Sequence, residues 1–187
     1  FYLPAEIYNL SRDNLCREFY YVFFGAWNRE ENLSSLRWFA KNVLPKVSPQ
    51  TKFKVIGSGV TEELRREFCG YPNLEFTGFI DNPYQIIADA VAVIAPLKLG
   101  AGVKVKVVES LACGTPVIGS EVAFEGIPFA FGFTLEIPFL TDLYLDAMQK
   151  AKTLTFEQRL EFRELFQKNI GAKCADRKIV EYIWTNY

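Results

Sequence analysis

Gly100-Ala101-Gly102-Val103-Lys104-Val105-Lys106-Val107-Val108-Glu109-Ser110-Leu111-Ala112-Cys113-Gly114-Thr115-Pro116 is the stretch that decides the fold of this chain. Residues 90–96 before it form an apolar run that reads as a buried strand, and after the two glycines Val105, Val108, Leu111 and Ala112 recur at helical spacing. The string is therefore a strand, a glycine turn and a helix. Gly114 ends the helix and Pro116 cannot continue it. Glycines let a backbone approach a ligand closely, and the first turn of a helix offers unpaired N–H groups and the positive end of a dipole. Such a junction suits an anion such as a diphosphate; it serves equally well as an ordinary α/β connection with a tight turn.

The same alternation repeats outward from this unit. Upstream, Tyr20-Tyr21-Val22-Phe23-Phe24-Gly25 reads as a buried first strand. The polar loop 26–32 and a helix bearing Leu33, Leu36, Trp38, Phe39 and Val43 follow, with a stop at Pro45. Phe53-Lys54-Val55-Ile56-Gly57 is a second strand that runs through Ser58-Gly59 into a helix with Leu64 and Phe68. A third strand closes on Gly78, Pro83 starts a short helix over 84–88, and 91–95 and 116–120 are the fourth and fifth strands. Further on, Phe129, Phe131, Phe133, Leu135 and Ile137 alternate with smaller or polar residues, a period of two that places the phenylalanines on one buried strand face. The remainder is helical over 140–154, 156–170 and 176–187, the last carrying Ile179, Val180, Ile183, Trp184 and Tyr187 on one face. Residues 1–20 read as the tail of an interdomain linker and 21–187 as one domain. Five or six strands alternating with helices predict an α/β fold with a doubly wound parallel sheet, in which ligands bind at the carboxyl ends of the strands. The loops after Gly25, Gly57, Gly78, Pro96 and Gly119 all fall at that edge.

Composition removes several classes of function. Lysine and arginine total 21 against 22 acidic residues, a net charge of -1, so no basic face for nucleic acid is advertised and any phosphate binding is local. The chain has no histidine, which removes Ser-His and Cys-His catalysis and most transition-metal sites. Cys16, Cys69, Cys113 and Cys174 are widely spaced, which argues against a zinc site or a disulfide framework and for reduced cytoplasmic thiols. No apolar run approaches the roughly 18 residues of a membrane span, nothing at Phe1 reads as a signal peptide, and the chain starts without Met, which reads as a cut-out of a longer protein.

The string Gly-Ala-Gly-Val-Lys-x-Lys-Val-x-Glu-x-Leu-Ala-x-Gly-x-Pro-Val-Ile resembles the nucleotide-sugar-binding segment of GT-B glycosyltransferases of the group 1, or family 4, type. The resemblance spans roughly residues 22–127 with specific motifs and implies a Rossmann-like C-terminal donor domain. By position it gives the diphosphate of a nucleotide-sugar to Gly100, Ala101 and Gly102, continued through Val103 to the helix start, and the ribose hydroxyls to Glu109. Many members have a second Glu, eight residues earlier, that contacts the transferred sugar; here that position is Ala101, as in a subset with Gly-Ala-Gly. The resemblance also places donor contacts at Gly25, at Gly57 and Gly59 of Val-Ile-Gly-Ser-Gly, and at Phe79 and Ile80 after Gly78, where the base lies in relatives. Ordinary apolar packing is the other reading of Phe79 and Ile80. Arg29 is the basic residue of the first loop and a candidate catalytic contact to the diphosphate, or a solvated arginine. Lys98, Lys104 and Lys106 cluster at the glycine loop; Lys104 is the candidate catalytic phosphate contact, whereas Lys106 can pair with Glu109 across one helical turn.

The resemblance implies a transferase that moves a sugar from a nucleotide diphosphate donor to a polysaccharide or glycolipid acceptor, without metal or other cofactor. Electrostatic stabilisation of the leaving diphosphate would carry the chemistry. The acceptor domain of such an enzyme is absent from these residues, so this chain alone would be inactive, and the full-length protein would be cytoplasmic, at the inner membrane face. A non-catalytic nucleotide or nucleotide-sugar module is the alternative that Ala101 keeps open. A dinucleotide-binding oxidoreductase is weaker, because no Gly-x-Gly-x-x-Gly with an acidic residue ~20 positions on follows the first strand.

Overall fold

A computed structural model of the chain describes residues 3–8, 10, 19–127, 134–136 and 138–170. Its strands are β1 (Tyr20–Phe24), β2 (Lys52–Ile56), β3 (Leu74–Gly78), β4 (Ala92–Ala95), β5 (Val117–Gly119) and β6 (Thr134–Glu136). They form one six-stranded sheet in the order β3-β2-β1-β4-β5-β6, and every pairing in it is parallel. This is the doubly wound, Rossmann-like arrangement, and the order reverses between β1 and β4. The helices are α1 (Ala5–Tyr8), α2 (Glu30–Asn42), α3 (Glu62–Glu67), α4 (Tyr84–Asp89), α5 (Val105–Ala112), α6 (Glu121–Phe124), α7 (Thr141–Thr153) and α8 (Phe156–Ile170).

The central strands β1, β4 and β5 are buried on both faces, so they are apolar throughout rather than alternating with polar residues, whereas β2 and β3 carry Lys52, Lys54, Glu75 and Thr77. The period of two divides β1, β2, β4 and β5 between two cores. Tyr21 and Phe23 of β1 and Phe53 and Val55 of β2 join Leu36, Phe39, Tyr144 and Met148 on the α2 and α7 side. Tyr20, Val22, Ile56, Val93 and Ala95 face the other way, onto Ile87, Val107, Val108, Leu111, Phe162 and Phe166 of α4, α5 and α8. Lys54, the one charged position in mid-strand of β2, lays its ammonium over the Tyr20 ring at 3.9 Å, a cation–π contact.

Four expectations are adjusted. Residues 1–20 are not all apart from the domain: Leu3 and Ile7 are buried in the second core, and Arg163 donates to the carbonyls of Ile7 at 2.6 Å and Leu10 at 3.3 Å. Pro45 does not stop a helix that runs up to it, because α2 ends at Asn42 and the proline sits in a separate 3-10 turn, Leu44–Lys46. Val105 is not on the apolar face of α5 but 62% exposed; Val107, two residues on and on the opposite side, takes its place in the core beside Val108, Leu111 and Ala112. Gly25 and Gly57 lie just beyond their strands. The backbone of Leu135 pairs with Ile118, whereas Phe129, Phe131, Phe133, Ile137 and the final helix with Trp184 and Tyr187 lie outside the described residues. Among the described residues no helix is long and apolar enough to cross a membrane.

The exits of β1 and β2 touch at Gly57. Its φ is +127°, its N–H donates to the Gly78 carbonyl at 2.9 Å, and a Cβ there would lie 1.9 Å from the Gly25 oxygen. Backbone conformation and space both demand glycine. Gly57→Ala is therefore expected to cost about 3 kcal/mol, whereas Gly70→Ala, where nothing lies within 4 Å, changes stability little; parallel urea denaturation of the two variants checks the contrast.

Candidate functional site

The first loop is held against the second by main-chain bonds. Gly25 N–H donates to Ile56 O at 3.2 Å and Trp27 N–H to Ser58 O at 2.7 Å. The buried indole of Trp27 donates from Nε1 to Ile56 O at 3.0 Å, so its polar edge is satisfied while its body fills the α2 side of the core. Behind the loop, Asn32 in the first turn of α2 is buried and donates from Nδ2 to Ala26 O at 2.8 Å. A side chain at Gly25 would meet that amide at 2.8 Å; glycine is what lets Asn32 reach the loop.

A cavity of about 380 Å³ opens at this carboxyl edge, beside the point where the strand order reverses. Phe24, Gly25 and Ala26 line it from β1 and its loop, Gly57 and Ser58 from the end of β2, Phe79, Ile80, Asp81, Pro83 and Tyr84 from β3 to α4, and Lys106 and Glu109 from α5. Lys106 donates from Nζ to Asn32 Oδ1, which links the first turn of α5 to the first turn of α2 across the crevice. Burial pushes the Lys106 ammonium down to about 8, against the pull of Glu31, while Lys104 pushes the same way as burial. Glu109 lies one helical turn further along and accepts from Tyr84 Oη at 3.2 Å. Burial raises its carboxyl above the usual range, partly offset by that hydrogen bond. A cation and a half-buried carboxylate thus stand on one helix face, one turn apart, at the wall of a concave site.

Gly25, Gly57, Phe79, Ile80 and Glu109 are brought together here, as the sequence suggests, and Phe79 is 72% exposed. The other candidates stand outside the cavity wall. Arg29 stands just before α2, its side chain 68% exposed and 3.7 Å from Glu31. Lys104 stands just before α5 and folds back onto Gly102 O and, at 3.0 Å, onto Glu125. Gly100, Ala101 and Gly102 form an exposed loop beside it, in which Gly100 and Gly102 have positive φ. Val103 packs against the second core, and Gly59 approaches the Asn28 backbone. Lys98 lies over the Phe139 ring at 4.8 Å. Among the described residues no ion pair joins Lys106 to Glu109; the lysine turns to Asn32 instead.

Sequence reasoning passes over Ser58, Asp81, Tyr84 and Asn32 and ranks Lys106 below Lys104. The signal for Lys106 is nonetheless present, since residues three apart share a helix face: if Glu109 faces a ligand, so does Lys106.

An all-parallel Rossmann-like sheet with a charged cavity at its switch point is the arrangement in which doubly wound α/β proteins hold their ligands. The family model for glycosyl transferases group 1 matches residues 18–132. The chain belongs to that family. No curated protein matches it in sequence. Among solved structures it is similar to the pneumococcal O-GlcNAc transferase GtfA in complex with UDP and GlcNAc, with a TM-score of 0.64 at 18% identity, covering 90% of this chain and 36% of that one. It is also similar to Anabaena HepE in complex with UDP and glucose, with a TM-score of 0.66 at 16% identity, covering 96% and 52%. WaaG, a glycosyltransferase involved in lipopolysaccharide biosynthesis, gives a TM-score of 0.61 at 17% identity, covering 91% and 48%. At these identities the likeness is one of fold, the GT-B glycosyltransferase fold. The chain spans about a third to a half of the length of these proteins.

The half-buried Lys106 also sets a pH dependence. Below about pH 8 the lysine is protonated in both states and the cost of burying its charge is fully present. Between there and the ordinary lysine value of about 10.4 the unfolded chain holds more protons, so stability rises with pH. Lys106→Met is expected to raise stability at pH 7 by about 1 kcal/mol, the relief of buried charge being partly offset by the unpaired Asn32 oxygen. It should also flatten the rise between pH 8 and 10, as read by thermal denaturation across that range.

Proposed function

We propose that this chain is the donor-binding domain of a glycosyltransferase, holding a nucleoside diphosphate-sugar in the cavity at the carboxyl edge. The observation that carries the reading is the pair Lys106 and Glu109 on consecutive turns of one helix, both at the cavity wall. In this reading the base lies against Phe79 and Ile80, the ribose diol donates to Glu109, and the diphosphate meets Lys106 and the free N–H groups at the start of α5. Gly25, Gly57 and Gly59 keep the backbone low enough for the ligand to pass. Gly100, Ala101, Gly102 and Val103 complete the phosphate side, with Arg29 and Lys104 swinging in from Glu31 and Glu125 as charge develops on the leaving group. A site fixed before the reaction and aimed at that charge is how such transfer is accelerated. UDP, present in the GtfA and HepE complexes, is the first ligand to try.

Transfer to a polysaccharide or glycolipid acceptor needs a second wall to the cleft. We assign that wall to an N-terminal acceptor domain in the cytoplasmic full-length protein, at the inner membrane face. The isolated chain is then expected to bind donor and not to transfer it. The second reading, a non-catalytic nucleotide-sugar module, is favoured by Ala101, which offers no carboxylate where many relatives contact the transferred sugar.

Glu109→Ala is expected to weaken UDP binding roughly tenfold to a hundredfold, by loss of hydrogen bonds to a charged acceptor. Lys106→Met should do likewise while stabilising the fold. Affinity of the unaltered chain should fall as pH rises above about 8, where the free lysine loses its proton, and should survive EDTA, since these contacts need no metal. Calorimetry with UDP and GDP measures all of these; unchanged affinity in Glu109→Ala together with Lys106→Met would place the donor elsewhere.

A further inference from the structure

Glu109 does not stand alone at the cavity wall. Tyr84 Oη donates to its Oε1 at 3.2 Å, and both residues line the cavity. Tyr84 is itself fixed. Its N–H donates to Asn82 Oδ1 at 3.2 Å at the start of α4, and its ring packs on the second core. At the other end of α4, Thr115 Oγ1 donates to Ile87 O at 2.7 Å, which ties α4 to the exit of α5. The phenol therefore has a fixed position, and through it the carboxylate does too. A glutamate at a helix surface otherwise samples several rotamers, and holding it in one costs side-chain entropy on ligand binding.

We propose that Tyr84 is a positioning residue of the ribose subsite: by holding the Glu109 carboxylate at the cavity wall, it makes the site select ribonucleoside over deoxyribonucleoside diphosphates. This rests on the reading of the cavity as a nucleoside diphosphate site. A carboxylate has about four lone-pair positions, and the phenol takes one on Oε1. The outward positions that remain match the two donors of a ribose diol. With the carboxylate held, a missing 2′- or 3′-hydroxyl leaves a half-buried acceptor unmatched, and this costs more than a hydrogen bond gains. A carboxylate free to rotate would turn to solvent and discriminate less.

The same contact gives the binding a pH signature. Burial raises the Glu109 carboxyl and the Tyr84 hydrogen bond lowers it. Removing the phenol leaves the raising effect alone, so the ionised form is lost at higher pH. The charged and titratable groups around the pair are Glu6 of α1 and Cys113 of α5, which bear on Tyr84, and Arg159 and Arg163 of α8, which bear on Cys113. Asp81 and Lys106 line the same cavity. The Cys113 thiol is pushed up by burial; Glu6 and Asp81 are carboxylates common to both proteins, so a difference in acid limb between the unaltered chain and Tyr84→Phe reports on Glu109, the carboxylate that loses the phenol.

The test is calorimetry with UDP, 2′-deoxy-UDP and 3′-deoxy-UDP on the unaltered chain and on Tyr84→Phe, repeated from pH 5 to 8. Tyr84→Phe is expected to bind UDP about threefold to tenfold more weakly. Its preference for UDP over the deoxy compounds should shrink, and its acid limb should move to higher pH. A lowered melting temperature with the preference and the acid limb unchanged would make the contact a stitch between α4 and α5 and overturn the proposal. In that case the unaltered chain still binds UDP and the site reading stands; absence of UDP and GDP binding in the unaltered chain would instead overturn that reading and this one with it.

Discussion

Lys106 and Asn32 meet across the crevice where the sheet changes direction, and the functional edge depends on that contact. The strand order puts β2 on one side of β1 and β4 on the other, so α2 and α5 pack on opposite faces while their first turns face each other over the carboxyl edge. Two positive helix ends and a lysine then converge on one small region. Asn32 makes this tolerable: it is neutral, its amide is spent on Ala26 O, and its oxygen is left to the ammonium. Glu31 lends the lysine partial compensation. Lys106 shares the cavity wall with the carboxylates of Asp81 and Glu109, so the positive character of this edge is local, confined to the ammonium and the two helix starts.

Holding that ammonium out of water has a stability cost. A lysine held below its ordinary pKa opposes folding near neutral pH, and Gly57, at φ +127°, adds the entropy of an unrestrained glycine to the same edge. The sheet offsets both. Tyr21, Phe23, Phe39 and Phe53 are each at most 1% exposed, and their rings meet at centroid separations of 5.1 to 6.3 Å. At roughly 1.5–3 kcal/mol for each large side chain buried, this aromatic cluster outweighs one perturbed lysine.

Much of the scaffold was legible in the sequence, because parallel strands buried on both faces write themselves as short apolar runs closed by glycine. Gly25, Gly57 and Gly78 mark three strand exits, Gly78 as the last residue of β3 and Gly25 and Gly57 one position beyond β1 and β2. The cavity was less legible. Glu109 and Phe79, which line it, were named from the motif, whereas Arg29 and Lys104, named for their closeness in sequence to the loops, pair with Glu31 and Glu125 outside its wall. Local sequence does not record that Lys104 folds back onto Glu125, or that Lys106 reaches a residue 74 positions away. Val105 was misjudged for a related reason: the start of a helix fixes its phase, and with α5 beginning at Val105 the buried stripe runs through Val107 and Val108 instead.

The helix that carries the site is clamped at both ends. At its first turn α5 is held to α2 through Lys106. At its exit Arg159 of α8 donates to Gly114 O at 2.9 Å, to Ala88 O at 2.6 Å and to Thr115 Oγ1 at 3.1 Å, and Gln167 donates to Ala112 O at 2.8 Å. These donors satisfy carbonyls that the ends of α4 and α5 leave unpaired. They also fix the spacing of the two helices whose side chains, Tyr84 and Glu109, meet at the cavity. Arg163, one turn further along α8, binds the carbonyls of Ile7 and Leu10, so the leader segment is tied to the same helix. Together with the packing of Phe162 and Phe166 against Val108 and Leu111 in the second core, these bonds join the leader and α8 to the helix that carries Glu109.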